Sequence, residues 1–184
     1  MEERLSALNF YGGKLNAAKN LQQIYELTLD VMEKTLGFEC ASFMRIHKND
    51  LQAVCLRGYD VLSSFKLPLN GSKKGITVKA ANTNKSILVN DVKIDKDYVD
   101  SFSGCKSEVA VPVEIDGKTI GVLNVESRKL GTFGKKDMML LQILASHAAT
   151  AISNLEKREE LEKQSNQLML LMNSSAEMVR STNL

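Results

Sequence analysis

The segment from Ser107 to Ser127, SEVAVPVEIDGKTIGVLNVES, consists of two apolar runs separated by the dipeptide Asp116-Gly117. Asp-Gly readily adopts the positive backbone φ angles of a two-residue turn, so the segment predicts a long antiparallel hairpin. Apolar residues occupy both faces of this hairpin, which is typical of strands that are covered on both sides. The segment is therefore expected at the centre of a domain.

The register of the hairpin decides which of its polar side chains share a face. A ladder that runs without interruption from the turn places Asn124 opposite Val109. In that register Asn124 lies on the aliphatic face, and Glu108 lies on the opposite one. Pro112 cannot donate to a ladder and indicates a bulge or an unpaired side at its position. The sequence does not decide which of the two faces lines a cavity. It therefore leaves open whether Asn124 or Glu108 is the polar residue that contacts a ligand there.

Length and composition favour one domain with helical extensions, because 184 residues with 43% hydrophobic content can bury one substantial core. The 24 basic and 22 acidic side chains give a net charge of +2, which provides no strong field for binding nucleic acid. No run of eighteen apolar residues is present, so we expect no membrane insertion by this segment, although a membrane-anchored parent protein stays open. Three widely spaced cysteines indicate reduced thiols and a cytoplasmic location.

Periodicity and turn signals predict the elements that precede the hairpin. A short first helix is expected to end at Gly12-Gly13. An amphipathic helix follows from Leu15 to Leu36, with Asn20 as a candidate cap and Gly37 as its stop. Further strands are predicted over residues 40–47, 51–58, 65–69 and 86–89, with a helix over residues 76–82.

A helix of roughly fifty residues, at about 1.5 Å each, is predicted to begin near Phe133, after the candidate N-cap Thr132. Its first apolar positions recur at the three- and four-residue intervals of a coiled coil, at Leu141, Leu144, Ala148, Ala151 and Leu155. A polar stretch follows. A second row of apolar residues at coiled-coil spacing then begins at Leu168, displaced by one residue from the register of the first row. The pattern is typical of a helix that leaves its domain and pairs with a copy of itself, so we expect a homodimer.

Three stretches, LGFECASFMRI, GITVKAANTNKSILVNDV and the central hairpin followed by FGKKD, resemble the GAF domain over about residues 15 to 155. GAF domains are small-molecule sensing modules of two-component kinases, phosphodiesterases and phytochromes. The resemblance implies an α+β fold with a central antiparallel sheet of about six strands. It also implies that the first and last helices pack on one face and that a ligand cavity lies on the other, with residues 63–106 as its lid.

The resemblance also implies how the chain is divided and what it does. Residues 1–14 would be an N-terminal helix or linker, residues 15–155 the GAF sensor domain, and residues 156–184 a coiled-coil linker toward an output domain outside this chain. The expected function is sensing of an unidentified small molecule in a signal-transduction protein such as a sensor histidine kinase, with dimerisation through the N- and C-terminal helices. The alternatives are a thiol enzyme similar to the free methionine sulfoxide reductases that uses Cys105, and a ligand-free dimerisation module.

Motifs of the ligand-specific branches of the family are mostly missing. The cyclic-nucleotide branch has an Asn-Lys pair ahead of a Phe and an Asp-Glu, and this chain keeps only Phe133 and Asp137 of that pattern. Bilin attachment needs a cysteine beside a histidine, and neither His47 nor His147 has one. In the free methionine sulfoxide reductases the thiols lie further ahead of the Ser-Glu pair than Cys105 does. Cyclic nucleotides and bilins are therefore disfavoured, and catalysis would require a reactive thiolate at Cys105.

Polar residues on or beside the predicted strands are candidates for ligand contact, because polar groups on an apolar sheet face are unfavourable unless paired. They are Asn124, Glu108, Arg45, Arg57, Tyr98, Ser107, Glu126 and Cys105. Asn124 is the strongest candidate because its predicted neighbour is apolar. Cys105 is interpreted as an incidental loop cysteine in preference to a pocket thiol for redox or metal sensing, and His147 as an interface histidine. No metal site and no catalytic residue is expected, and the cofactor stays unknown.

Overall fold

The computed structural model describes residues 2–59, 65–70, 75–99 and 104–182, with side chains up to residue 173. Its strands are β1 (Cys40–His47), β2 (Asp50–Arg57), β3 (Lys66–Pro68), β4 (Ile87–Val89), β5 (Ser107–Ile115) and β6 (Lys118–Ser127). Its α-helices are α1 (Glu2–Asn16), α2 (Leu21–Asp30), α3 (Gly75–Thr83) and α4 (Lys135–Thr182). A π-helical turn, Val31–Thr35, extends α2, and a 3-10 turn, Val92–Ile94, follows β4.

The described strands form one antiparallel sheet in the order β3-β2-β1-β6-β5-β4. On one face, which we call the helix face, α4 packs over Val109, Val111 and Val113 of β5. The helix α2 packs over β1 and β2, and α1 packs against α4 and α2. On the other, which we call the α3 face, α3 packs near Ala110 and Val122. The expected α+β fold, with six strands and a long C-terminal helix, is therefore confirmed.

The hairpin of β5 and β6 contains a bulge. Glu114 pairs with Thr119, as a regular ladder from the turn requires, but Val113 pairs with Gly121. Ile120 is therefore an extra residue in β6. The interruption lies next to Pro112, whose missing N–H had indicated a bulge in this region.

The bulge overturns the predicted pairing of Asn124 with Val109. Asn124 lies opposite Ala110, and Glu126 lies opposite Glu108. A one-residue shift exchanges the two faces of a strand, so Asn124 joins Glu108 on the α3 face instead of the face with the valines. The α3 face thus carries Glu108, Asn124 and Glu126 beside the buried Ala110 and Val122, whereas valines of β5 pack on the helix face.

The helix α1 does not end at Gly12-Gly13 but continues to Asn16. A Cβ atom built on Gly12 would lie 2.8 Å from Nδ1 of His147 in α4. Glycine is required at this position because α1 and α4 approach closely, and a helix accepts a glycine where packing compensates for its low propensity. His147 lies at a helix interface, as predicted, but its Nε2 is buried with no hydrogen-bond partner among the described residues.

The predicted caps have different outcomes. Asn20 caps α2, since its side chain accepts from the backbone N–H of Gln23 at 2.9 Å. Thr132 does not cap α4, which begins at Lys135. Instead, Asp137 reaches back and accepts from the backbone N–H of Gly134 at 2.9 Å, as in half of a capping box.

Two parts of α4 have different surroundings. Its first apolar stripe is at most 3% exposed and packs in the domain's own core, at Leu141, Leu144, Ala148, Ala151 and Leu155. From residue 156 to residue 173, every side chain is exposed. The large apolar side chains of this second part are 62 to 71% exposed, namely Leu161, Leu168, Met169, Leu170, Leu171 and Met172.

By length and composition, α4 is also the one helix among the described residues that could cross a membrane. An 18-residue window within Lys135–Asn173 has a mean hydropathy of 1.3, and 50% of that window is buried inside the domain. Because the core helix of a domain can meet the same criterion, this is weak evidence for a membrane span.

Replacing Gly12 with Ala should lower the free energy of unfolding by about 1–2 kcal/mol, because the overlap with the His147 ring outweighs the gain in helix propensity. At Gly13, where an added Cβ meets nothing within 4 Å, the same change should raise it by roughly 0.5–1 kcal/mol. Urea denaturation followed by circular dichroism measures both. The double variant Gly12→Ala/His147→Ala should recover part of the loss, and equal stabilisation by both single changes would contradict the close packing.

Candidate functional site

On the α3 face, three buried groups that can ionise lie close together: the thiol of Cys105 and the carboxyls of Glu108 and Glu126. Their exposed fractions are 6%, 4% and 2%. The sulfur and one carboxylate oxygen from each glutamate all lie within 4.8 Å of one another. Buried charged groups are unfavourable unless they are paired or bind a cation, so we take this thiol–carboxyl cluster as the candidate site.

Strand pairing brings the three groups together from separate parts of the chain. Glu108 of β5 lies directly opposite Glu126 of β6, so both carboxyls are on the α3 face. Cys105 lies just before β5, and its thiol donates to the carbonyl oxygen of Ser107 at 3.5 Å. The ladder continues past β5, since the backbone N–H of Lys106 donates to the carbonyl oxygen of Ser127 at 2.8 Å. The site is therefore fixed by the backbone of the central hairpin.

Each member of the cluster is hydrogen-bonded to a polar side chain outside it. With its amide oriented so that both polar atoms are satisfied, Asn124 donates to Glu108 Oε1 at 2.9 Å. The pairs are Asn124 with Glu108, Tyr59 with Glu126, and Tyr98 with Cys105. These outer groups fix the orientation of the three inner ones.

Burial and the charges of neighbouring carboxyls raise the pKa values of Glu108 and Cys105. The pKa of Glu108 lies well above its ordinary value, first because of burial and second because of Glu126, while the hydrogen bond from Asn124 acts in the opposite direction. Burial, followed by the charges of Glu126 and Glu108, raises the pKa of Cys105 to about 12. Burial also raises the pKa of Tyr59 well above its ordinary value. At neutral pH, Cys105 therefore carries a thiol.

The two predicted arginines lie away from the cluster. Arg45 reaches the helix face, where it forms an ion pair with Glu156 of α4 at 3.5 Å. Arg57 forms an ion pair with Asp30 of α2, also at 3.5 Å. Both arginines therefore join the sheet to helices, and the structure does not bring them to the α3 face.

Ser107 and Cys105 are both buried. Ser107 is buried, but its hydroxyl donates to the carbonyl oxygen of Lys129 at 2.7 Å and so fixes the chain that follows β6. Cys105 lies in a loop, as interpreted from the sequence, and it is buried beside two glutamates. Of the eight predicted residues, the structure thus brings together Asn124, Glu108, Glu126, Tyr98 and Cys105.

Ser42 and Tyr59 also lie at the cluster, although neither was predicted as a site residue. Ser42 of β1 pairs with Asn124 across the sheet and is 3% exposed. Tyr59, which follows β2, hydrogen-bonds to both Glu126 and Ser42. The alternation of β1 marks Ser42 as a polar residue in an apolar strand, but no local pattern shows that β1 lies beside β6.

Comparison with known proteins identifies the family of this fold. A family model described as "GAF domain" matches residues 18–153. The chain belongs to the GAF domain family. Among curated relatives, GAF domain-containing protein A of Dictyostelium discoideum is 34% identical over 89 residues, which are 46% of this chain and 56% of that protein. The match thus spans about half the length of that relative.

Solved structures similar to this GAF domain include a GAF domain of a phosphotransferase and a methionine sulfoxide reductase. The GAF domain of a phosphoenolpyruvate-protein phosphotransferase from Coxiella burnetii superposes with a TM-score of 0.75 at 17% identity, over 86% of this chain and 98% of that one. A free methionine-R-sulfoxide reductase from Neisseria meningitidis, in complex with its substrate, superposes with a TM-score of 0.73 at 21% identity. The superposition covers 82% of this chain and 89% of that one. At these identities the similarity shows the shared fold alone.

Replacing Glu108 with Gln should reduce the pH dependence of stability. The raised pKa of Glu108 means that the folded state keeps a proton that the unfolded state loses above its ordinary pKa of 4.5. The free energy of unfolding of the parent protein should therefore fall as pH rises from this value toward the raised pKa, by up to about 1.4 kcal/mol per pH unit. Glu108→Gln should flatten this slope and be the more stable protein at neutral pH.

Urea denaturation at pH 5, 6, 7 and 8 measures these slopes. Glu114→Gln is the matched control, because Glu114 is an exposed residue of the same strand and its replacement should leave the slope unchanged. The same slope in Glu108→Gln as in the parent protein would show that the Glu108 pKa is not raised in the folded state.

Proposed function

We propose that this GAF domain is the sensory part of a signalling protein and that it binds a small, positively charged ligand at the thiol–carboxyl cluster. The observation that carries the proposal is the pair of opposed carboxyls, Glu108 and Glu126, buried on the α3 face. Such a pair destabilises the fold unless a proton or a cation compensates it. A cationic ligand would replace the proton that Glu108 otherwise keeps.

The route from the cluster to α4 runs through the sheet. β6, which carries Glu126, is hydrogen-bonded to β1, and β1 presents Arg45 on the helix face. Arg45 pairs with Glu156 of α4, and two residues further along Arg158 donates to the carbonyl oxygen of Ala18 at 3.0 Å. Closing of the carboxyls around a ligand would shift β6 and β1, and these contacts would pass the shift to α4 where it leaves the domain.

The exposed part of α4 supplies a surface for a second copy of the chain. Leu161 and Leu168 are one heptad apart and are 65% and 62% exposed. Pairing of two α4 helices along this seam would bury these leucines and connect two sensors in one dimer. In this proposal the output domain, such as that of a histidine kinase, follows α4, and the three free cysteines fit a cytoplasmic location.

Replacing Leu168 with Glu should convert the dimer to a monomer, because a charge in a coiled-coil seam would be buried on pairing. Met169→Glu is the matched control, since Met169 is 66% exposed but lies one residue away, on another side of the helix. Size-exclusion chromatography with light scattering measures both. A monomeric parent protein, or an equal loss of dimer in both variants, would contradict the pairing of α4.

A thiol-dependent reductase is the second candidate function, because Cys105 lies within the cluster rather than on the surface. Attack on an oxidised substrate requires the thiolate. A pKa of about 12 keeps the Cys105 thiol protonated at neutral pH. The protonated thiol therefore favours the sensor over the enzyme.

The parent protein should not reduce free methionine sulfoxide with dithiothreitol as the reductant. Methionine release, measured by chromatography, should equal that of Cys105→Ser at neutral pH, because the thiol is protonated there. Cys55→Ser replaces another buried thiol, on β2, and is the control. Turnover that Cys105→Ser removes and Cys55→Ser keeps would establish the enzyme instead.

A further inference from the structure

We infer that Cys105, Glu108 and Glu126 are the ligands of one divalent transition-metal ion of the class of Zn²⁺, Fe²⁺ and Co²⁺. The inference rests on the proposed function, because it names the cation that the sensor cluster binds. The coordinating atoms are the Cys105 sulfur and one carboxylate oxygen from each glutamate.

The positions of the three donor atoms suit a single ion after a small movement of the side chains. All three lie within 4.8 Å of one another. Metal–ligand bonds of about 2.0–2.3 Å place tetrahedral donors about 3.5 Å apart, so a contraction of about 1 Å brings them onto one ion. Because Glu108 and Glu126 lie on paired strands, rotation of their side chains together with a small shift of β6 would supply this contraction.

The type of donor narrows the choice of ion. A thiolate is a soft ligand that Zn²⁺, Fe²⁺ and Co²⁺ accept, whereas Mg²⁺ and Ca²⁺ bind oxygen ligands. The two carboxylates are harder ligands that the same transition ions also accept. Three protein ligands leave one position of a tetrahedral ion open, which is the arrangement of sites that bind an exchangeable ligand rather than a purely structural ion.

Residues outside the cluster form an outer shell of the kind that metal ligands require. Each candidate ligand has its own hydrogen-bonding neighbour, and these neighbours come from different elements. They are Asn124 for Glu108, Tyr59 for Glu126 and Tyr98 for Cys105. Such partners orient the ligands and tune their basicity, and their loss weakens metal binding. The shell is already in place around the three donors.

The charges around the cluster also favour a cation. The charged groups that act most strongly on Glu108 are Glu126 and Asp95, and those that act on Cys105 are the two glutamates, so all are acidic. A metal ion uses all three donors. Its coordination displaces the thiol proton of Cys105 and the carboxyl proton of Glu108, and both protons are released to solvent. An organic ammonium group would pair with the carboxylates but leave the thiol without a role.

Titration of the full chain with Co²⁺, after dialysis against a chelator, tests the site. We expect one equivalent to bind, with a near-ultraviolet sulfur-to-cobalt charge-transfer band and the visible bands of a cobalt ion of low coordination number. Cys105→Ser should lose the charge-transfer band, and Glu108→Gln and Glu126→Gln should each weaken binding roughly tenfold or more. The matched controls Cys55→Ser and Glu114→Gln should bind as the parent protein does.

The variants also separate loss of the site from loss of the fold. Glu108→Gln removes a buried ionisable carboxyl and is expected to stabilise the metal-free protein at neutral pH, so weaker binding by this variant cannot result from unfolding. Circular dichroism of each variant without metal confirms that the fold is kept. Added Co²⁺ should raise the melting temperature of the parent protein and of the two controls, and should raise that of Glu108→Gln by less.

The absence of stoichiometric cobalt binding, or a charge-transfer band that survives in Cys105→Ser, would overturn the metal site. Native mass spectrometry of the protein as purified distinguishes this failure from failure of the wider function. An organic molecule that the parent protein retains and Glu108→Gln loses would overturn the metal site and leave the sensor function in place. Failure to bind either a metal ion or an organic molecule would overturn both.

Discussion

The extra residue in β6, Ile120, decides the chemistry of both faces of the sheet. Because side chains alternate along a strand, one inserted residue turns every later side chain to the other face. Glu126 thereby meets Glu108 on the α3 face, while Leu123 and Val125 turn toward the helices and complete the larger core. A regular hairpin would separate the two carboxyls and place polar groups among the helices. The stability of the core and the composition of the candidate site thus depend on the same bulge.

Local patterns predicted what is determined locally. The turn at Asp116-Gly117 and the cap at Asn20 lie where the sequence placed them, because each depends on a few neighbouring residues. The bulge at Ile120 and the start of α4 after Thr132 are local features that the turn and capping signals did not show. Other errors occurred where two distant segments meet. Gly12 was interpreted as a helix break because its neighbour His147 is remote in sequence. Alternation could not assign Arg45 to the helix face before the strand order was known. Most residues of the candidate site were therefore predicted from the sequence, but their positions relative to one another were not.

The candidate site opposes folding in the state without a cation. Glu108 is 4% exposed and lies in a strand that is covered on both faces, so retention of a proton is its means of avoiding a buried charge. The amide of Asn124 and the hydroxyls of Tyr59 and Tyr98 are nevertheless in place around the cluster. A ligand that neutralises the carboxyls would stabilise the hairpin as it binds, because binding to the folded state alone adds to folding stability. Ligand recognition and the stability of the central hairpin are then linked.

The buried and exposed apolar stripes of α4 lie on different sides of one helix, which continues between them without a break. The buried stripe ends at Leu155, and Leu161 and Leu168 lie about 120° around the helix axis from it. A helix that packs on these exposed leucines therefore approaches from a direction that the domain does not occupy. Rotation of α4 about its own axis would change the direction from which this second helix approaches the domain. The distance between the second helix and the domain would stay the same.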